Sequence, residues 1–363
     1  MRSLDRRTFL KAAGGTSILG LAGCITGDEG GGGGGGGTTG NDSTGGGGDN
    51  DTGGSAGGGG GQTLTWDAGG TGGTYYPLSN QFKQIVESNS EYSLQVRSTG
   101  ASVENVGNLA GGSSAFGLIQ NDIAFFAYEG TGIDEFTDSP IPALRGVATL
   151  YPETIHLLAR PDANIGSVSD LQGMAVNTGD LGSGTQVDAQ QILRAVGIDD
   201  GQYNEQNASF SQAADQLQNG DIDAAFILGG WPVGAIENLA TTSEIDIVPI
   251  DGQERQQVLE SGDYFAEDEI PAGTYQGIDE PTPTVAVQAM IATTEDRSQE
   301  VVQGVTATIF DNVGEISIKQ EFISVDSAQD GMPIPLHPGA EAYFGSSGSS
   351  GSGGNSTGND SSS

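Results

Sequence analysis

Three turns rich in Gly, Ser and Thr carry the residue types best suited to binding a small anion. They span residues 69–77, 98–105 and 182–185, and each follows a strand-like run and opens a helix-like pattern. The first N–H groups of a helix have no intrahelical acceptor and form the positive end of its dipole. Such groups bind carboxylates without Arg or Lys. The three turns therefore predict a site that holds a small acid through main-chain amides.

The elements that must position these turns alternate between strand and helix patterns. The first series predicts a strand at 63–68, a helix at 78–87, a strand at 92–97, a helix at 103–109 and a short strand at 116–119. A second series predicts strands at 174–177, 222–227 and 245–250 with helices at 186–196, 211–218 and 233–239. Alternation of this kind is typical of parallel sheets flanked by helices.

Two further segments connect the two series. Two apolar runs at 146–150 and 155–159, separated by Tyr151-Pro152-Glu153, predict a crossing from one lobe to the next, and 284–291 predicts the return strand. A helix at 301–313 should then pack on the first lobe. We expect two α/β lobes, 62–150 plus 284–344 and 151–283, joined by a hinge with two crossings and a ligand cleft.

The charge of the chain excludes several classes of partner. The formal net charge is −36, and residues 62–344 alone hold 41 acidic and 8 basic side chains. Nucleic acid is not expected as a partner, because phosphate contacts need basic patches. The acid excess resembles that of proteins from salt-loving archaea, in which salt screens the self-repulsion.

The two ends of the chain indicate export. Residues 1–24 combine the pair Arg6-Arg7 with a short apolar stretch, which predicts a twin-arginine (Tat) signal. Cys24 is the only cysteine and follows Leu-Ala-Gly, which resembles a lipoprotein box, so we expect a lipid anchor on the outer face of the cytoplasmic membrane. Residues 25–61 and 345–363 are Gly-rich or Gly/Ser-rich, which predicts a disordered tether and a disordered tail.

Seven motifs occur in order along the chain, and together they resemble the TAXI family, the TRAP-associated extracytoplasmic solute receptors. They are Gly-Thr-Gly-Gly-Thr-Tyr-Tyr-Pro (70–77), Ser-Thr-Gly-Ala-Ser-Val-Glu-Asn (98–105), Leu-Tyr-Pro-Glu (150–153), Gly-Ser-Gly-Thr (182–185), Gly-Gly-Trp-Pro (229–232), Ile-Pro-Ala-Gly-Thr-Tyr (270–275) and Pro-Leu-His-Pro-Gly-Ala-Glu (335–341). The resemblance implies a type II periplasmic-binding-protein fold. It also implies a receptor that delivers glutamate, glutamine or a 2-oxoglutarate-like solute to a membrane-embedded TRAP permease, without a cofactor.

The candidate ligand-binding residues lie in or near these motifs. Glycines let the backbone approach a ligand closely, hydroxyl groups donate hydrogen bonds, and an aromatic ring covers an aliphatic chain. Some have a structural alternative: the tyrosines as core residues, Ser102 and Asp122 as helix caps, and Trp231 as a buried ring. The candidates are Gly72, Gly73, Thr74, Tyr75, Tyr76, Ser102, Gln120, Asp122, Gly184, Thr185, Trp231 and Pro232.

Two other functions fit part of the pattern. A two-lobed binding protein used for sensing would need no transporter, and a secreted hydrolase would use Ser102 or Ser183 as its nucleophile. The sequence has no Gly-x-Ser-x-Gly elbow, and its two histidines, His156 and His337, have no metal-ligand spacing. We therefore expect neither an enzyme nor a metal site.

Overall fold

The computed structural model describes residues 61–347, and these residues belong to one compact unit. The predicted export signal, Cys24, the tether up to residue 60 and residues 348–363 lie outside this range. Within the described part of the chain, no helix is both long and apolar enough to cross a membrane.

Lobe one begins with three parallel strands, each followed by a helix. The strands are β1 (Thr63–Asp67), β2 (Ser93–Arg97) and β3 (Phe116–Gln120), and the helices are α1 (Tyr75–Asn89), α2 (Ser102–Ala110) and α3 (Asn121–Glu129). The fully buried Trp66 of β1 packs between these elements, with ring centroids 5.8 Å from Phe82 and 5.5 Å from Phe116. Its indole N–H donates to Ser79 at 3.0 Å, so the polar atom of the ring is satisfied inside the core.

Two long strands run through both lobes. They are β4 (Leu144–Ala159) and β10 (Thr282–Thr294), which pair with each other in antiparallel register. The first half of β4 lies beside the part of β10 that pairs with β3. Its second half, from Thr154, pairs with two strands of lobe two. The two apolar runs predicted around Pro152 thus form one continuous strand, and β4 and β10 are the two crossings between the lobes.

Lobe two repeats the arrangement of lobe one. Its strands are β5 (Ala175–Asn177), β6 (Asn204–Gln206), β7 (Ala224–Gly229) and β8 (Asp246–Val248), and β9 (Ala266–Ile270) pairs with β10. Its helices are α4 (Gly184–Ala195), α5 (Phe210–Asn219), α6 (Gly234–Thr242) and α7 (Gly252–Ser261), with 3₁₀ turns at Pro161–Ala163 and Val168–Leu171.

The chain returns to lobe one through α8 (Gln299–Asp311), a 3₁₀ turn at Val313–Glu315, and α9 (Pro338–Ser347). The apolar face of α8 packs on the core that contains Trp66, as expected. Helix α9 includes Gly345–Ser347, the first three residues of the predicted tail.

The strand order confirms the predicted fold class. The sheet order is β2-β1-β3-β10-β4-β7-β5-β6, with β8 on β4 and β9 on β10. Lobe one is therefore β2-β1-β3-β10-β4 and lobe two is β6-β5-β7-β4-β8, so in each lobe a crossing strand follows the third strand. This is the type II periplasmic-binding arrangement of two α/β lobes.

The sequence patterns missed β6, β9, α7 and α9. Strand β9 has the sequence Ala-Glu-Asp-Glu-Ile and is mostly exposed, and α7 buries only Val258. Elements with so few apolar residues produce no periodic pattern, so tertiary pairing decides their conformation.

Candidate functional site

A pocket with a cavity volume of about 160 Å³ lies between the two lobes. Four segments from both lobes line it, together with four single residues. The segments are Gly69–Tyr75, Gly100–Ser102, Ser183–Thr185 and Ser209–Ser211, with Gln120, Glu153, Asp180 and Leu228.

Four helices begin in the wall of this pocket. Their first residues are Tyr75 in α1, Ser102 in α2, Gly184 in α4 and Phe210 in α5. Gln120, which precedes the first residue of α3, lines the pocket as well. The first N–H groups of these helices converge on one space from both lobes, which is the arrangement that binds an anion through backbone donors.

The turn before α2 is held by side chains of its own motif. Asn105 donates to the carbonyl oxygens of Ala68 at 2.6 Å and Leu118 at 2.8 Å, which ties α2 to β1 and β3. Thr99 donates to Asn105 at 2.7 Å. Ala101 adopts φ 74° and ψ −142°, a conformation that strains any residue other than Gly.

The cap expected at Ser102 is wrong. Ala101 occupies the N-cap position of α2, and Ser102 is the first helical residue. The Ser102 hydroxyl donates to Gln120 Oε1 at 3.0 Å and accepts from the Gln120 backbone N–H at 3.2 Å. It therefore fixes the Gln120 side chain in the pocket wall. In α4 the cap is Ser183, whose hydroxyl accepts from Gln186 N–H at 3.1 Å.

Direct contacts between the lobes show that the pocket is closed. The Thr74 hydroxyl donates to the Gly230 carbonyl at 3.1 Å, and the Ala235 N–H donates to the Gly72 carbonyl at 3.1 Å. Across the pocket, Gly184 lies so close to Gln120 that a Cβ on Gly184 would overlap the amide oxygen of Gln120. Gly184 is thus required by packing between the lobes.

The charges in the pocket wall are acidic. Among the described residues that line it, Glu153 and Asp180 are charged and none is Lys, Arg or His. Burial raises the pKa of Glu153 to about 7, although the hydroxyls of Tyr75 and Tyr151 and the amide of Gln120 act in the opposite direction. Burial and the nearby Glu104 also raise the pKa of Asp180.

Tyr75 lies beside Glu153 with an unused donor. Its ring is buried, and its hydroxyl has no partner at hydrogen-bonding geometry within residues 61–347. Burial and the charge of Glu153 raise the pKa of Tyr75 well above its usual value, so the hydroxyl stays protonated. A buried hydroxyl without a partner at proper geometry is costly to the folded protein.

Asp122 does not line the pocket and does not occupy the cap position of α3. It is the second residue of that helix and is fully buried against Asp188 of α4. None of the four carboxylate oxygens of this pair has a hydrogen-bond donor at proper geometry in the described structure. Burial raises the pKa of both groups, and the charge of Asp122 further raises that of Asp188. The two carboxyls face each other across the lobes, and their burial favours the protonated form of the pair over two negative charges.

Three other candidates lie outside the pocket lining. Tyr76 packs against the core of lobe one. Trp231 is joined to Pro232 by a cis peptide bond and packs with Lys319. The Lys319 ammonium lies 4.2 Å from the centroid of the indole ring and donates to the Trp231 carbonyl. Pro232 is exposed. Eight of the twelve candidates line the pocket: Gly72, Gly73, Thr74, Tyr75, Ser102, Gln120, Gly184 and Thr185.

Sequence reasoning missed several lining residues. Glu153 is the most informative of them, because a charged residue between two apolar runs is a visible sign of a buried polar position. Ser183 lay in a recognised turn. Phe210, Ser211 and Leu228 gave no signal, because ordinary residues of an amphipathic helix and a buried strand look the same inside or outside a site.

The histidines have structural partners away from the pocket. His156 is fully buried, with Nε2 3.0 Å from the Tyr275 hydroxyl, and burial lowers its pKa to about 4. His337 Nδ1 accepts from the Gly339 N–H at 3.0 Å. Neither faces Ser102 or Ser183 in the pocket wall. The described residues contain no group of three or more His, Cys, Asp or Glu side chains placed to hold a metal ion.

Solved structures with a related architecture share little sequence with this chain. The periplasmic aliphatic sulphonate binding protein SsuA from Escherichia coli is 13% identical, with 78% of this chain and 83% of that chain covered and a TM-score of 0.40. A putative L-cystine ABC transporter protein from Listeria monocytogenes is 12% identical (74% and 98% covered, TM-score 0.43). The GluR0 ligand binding core in complex with L-glutamate is 10% identical (73% and 98% covered, TM-score 0.43). Identities of this size say nothing about the solute that this chain binds.

The family model of the NMT1-like family matches residues 67–348, which is most of the chain and covers both lobes and every residue of the pocket wall. The chain therefore belongs to the NMT1-like family.

Proposed function

We propose that this protein is an extracytoplasmic solute receptor that closes its two lobes over a small carboxylate-bearing solute. The observation that carries the proposal is the convergence of four helix starts on one closed pocket shared by both lobes. Backbone donors at helix starts stabilise an anion without a basic side chain, and no Lys or Arg occurs among the described lining residues.

The proposed solutes are glutamate, glutamine and 2-oxoglutarate-like acids, and the proposed acceptor is a TRAP permease, as in the TAXI family. The order of the seven motifs supports this assignment. Solute binding would stabilise the closed contacts, such as that of Thr74 with Gly230, and the closed form would dock on the membrane subunits. Co-purification of the solute-loaded protein with the product of a neighbouring permease gene tests the acceptor.

The proposed location is outside the cell, with the chain exported by the Tat pathway and anchored through a lipid on Cys24. The Arg6-Arg7 pair and the position of Cys24 support this proposal. A Cys24→Ser variant should be exported and released into the medium, whereas the wild type should stay with the membrane fraction. Equal release of both proteins would contradict the anchor.

Calorimetric titration at molar salt tests the receptor function. Glutamate, glutamine, 2-oxoglutarate and C4-dicarboxylates are the probes, and Gly184→Ala is the diagnostic variant. The new methyl group would overlap the Gln120 amide and hold the lobes apart, so affinity should fall at least tenfold. Gly107→Ala is the matched control, because a Cβ at Gly107 in α2 meets nothing within 4 Å. Absence of binding by every probe to the wild type would refute the proposal.

A further inference from the structure

Glu153 is the buried charged group of the pocket. It lies on β4 where this strand passes from lobe one to lobe two, and its side chain is 4% exposed. Asp180, the other acidic lining residue, belongs to the loop before α4 and is partly exposed. Of the two carboxyl groups, only Glu153 is therefore fully removed from water.

The groups around Glu153 are neutral or acidic. The Tyr151 hydroxyl donates to Glu153 Oε1 at 3.3 Å, Tyr75 faces it from α1, and Asp122 and Asp188 lie further away on α3 and α4. No basic side chain lines the pocket within the described residues. A buried carboxylate without a cation costs several kcal/mol, so the empty site lacks a positive charge to balance an ionised Glu153.

We propose that Glu153 pairs with an ammonium group of the bound solute, so that the receptor accepts α-amino acids and discriminates against oxo acids and against dicarboxylic acids that lack an amino group. The proposal rests on the proposed function, because the helix starts must hold the carboxylate of the same molecule. A zwitterion satisfies both halves of the pocket: amides from the helix starts meet the carboxylate, and Glu153 meets the ammonium group. A dianion places its second charge near Glu153 and Asp180 with no cation to compensate.

Pairing of Glu153 with an ammonium group should change the number of protons released when the solute binds. With a pKa of about 7, Glu153 is mostly protonated in the empty pocket at pH 6. An ammonium group stabilises the ionised form, so binding of an amino acid at pH 6 releases about one proton. An oxo acid leaves Glu153 protonated. Both solutes close the lobes, so any proton taken up by Asp122 and Asp188 on closure cancels in the comparison.

The experiment compares L-glutamate with 2-oxoglutarate, which share a carbon skeleton and differ at the amino position. Calorimetric titrations at pH 6 and molar salt, in buffers of different ionisation enthalpy, give the affinity and the number of protons released. We expect the wild type to bind glutamate at least tenfold more tightly than 2-oxoglutarate and to release about one proton more with it.

The Glu153→Gln variant should weaken glutamate binding by roughly 100-fold, because it removes one partner of a buried charge pair, and should leave 2-oxoglutarate binding unchanged or stronger. Asp215→Asn is the matched control: it removes one acidic charge from an exposed position of α5 outside the pocket lining and should preserve the preference for glutamate. Circular dichroism checks that Glu153→Gln folds. The number of protons released by the wild type tests the proposal even if the variant does not fold.

The results separate the two proposals. If 2-oxoglutarate binds the wild type as tightly as glutamate, or if Glu153→Gln binds glutamate like the wild type, the ammonium role of Glu153 is overturned while the receptor function stands. If neither the two solutes nor glutamine bind the wild type, the receptor function fails and the role of Glu153 fails with it.

Discussion

The buried pair Asp122–Asp188 makes the stability of the protein depend on pH in a way that one substitution should reveal. The two carboxyls come from different lobes, are fully buried, and have no hydrogen-bond donor from the rest of the described structure. We expect Asp188 to stay protonated and to share this proton with Asp122. In Asp188→Asn the amide takes the place of the protonated carboxyl and donates to Asp122. The environment of Asp122 is then preserved. In the folded state, the wild type and Asp188→Asn differ by the one proton that Asp188 binds.

The sign and the size of the effect follow from linkage. Burial raises the pKa of Asp188 well above its usual value, so the folded wild type keeps a proton that the unfolded chain loses above about pH 5. The free energy of unfolding of the wild type should therefore fall, relative to that of Asp188→Asn, by about 1.4 kcal/mol per pH unit. The difference in favour of the variant should grow from pH 5 until the pH reaches the raised pKa of Asp188 in the folded protein.

Other titrating groups cancel in this comparison. Glu153, with its pKa raised to about 7, also lowers wild-type stability as pH rises. His156, with its pKa lowered to about 4, acts in the opposite direction below about pH 6.5, because the unfolded chain then holds the extra proton. Both groups are present in the wild type and in the variant, so the difference isolates Asp188.

Urea unfolding at pH 5, 6, 7 and 8 in molar salt measures the effect. Asp215→Asn is the control, because Asp215 is an exposed residue of α5 and its removal should give a difference from wild type that does not change with pH. If wild type and Asp188→Asn unfold with free energies that stay parallel from pH 5 to 8, the shared proton does not exist and the account of this pair is refuted.

Three further outcomes follow from single contacts. Ala101→Gly should raise the free energy of unfolding by about 1 kcal/mol in urea titrations, because Gly adopts φ 74° without strain; an unchanged midpoint would contradict the strain. Tyr75→Phe should leave the stability of the empty protein unchanged or higher by up to about 1 kcal/mol, because the buried hydroxyl has no partner at proper geometry in the described structure. It should lower solute affinity about tenfold by calorimetry if the solute reaches this hydroxyl from the pocket that Tyr75 lines; unchanged affinity would show that the solute does not use it. Lys319→Met should lower the free energy of unfolding by about 1 kcal/mol, because it removes the ammonium group from the face of Trp231; equal stability would show that this contact contributes nothing.

Local patterns predicted a large part of the architecture. Strands such as β3 and β7 are short apolar runs, and helices such as α1 and α8 have apolar stripes, so periodicity identified them. The Gly-rich turns before α1 and α4 also line the pocket, because glycines mark places where the backbone must approach another surface. Helix α7 and strand β9 lack such patterns, and only their packing reveals them.

Three residues of the predicted site have partners that the local sequence does not show. Ser102, Asp122 and Trp231 were assigned from the residues next to them in the chain, whereas their contacts in the structure are with distant residues. Ser102 bonds to Gln120, Asp122 faces Asp188, and the ring of Trp231 packs on Lys319, which is 88 residues away. No local pattern encodes such pairs: the first depends on how α2 packs beside β3 within lobe one, and the other two depend on how the two lobes meet.

The sequence by itself determined the fold class, the acidic character of the surface and the turns whose amides face a common space. These properties depend on residue types and their spacing over a few positions. Only the tertiary structure decided that Glu153 lies buried in the pocket, that no cation accompanies it among the described lining residues, and that Asp122 meets Asp188. Burial and charge pairing are properties of the space between the lobes, and that space exists only after β4 and β10 have joined them.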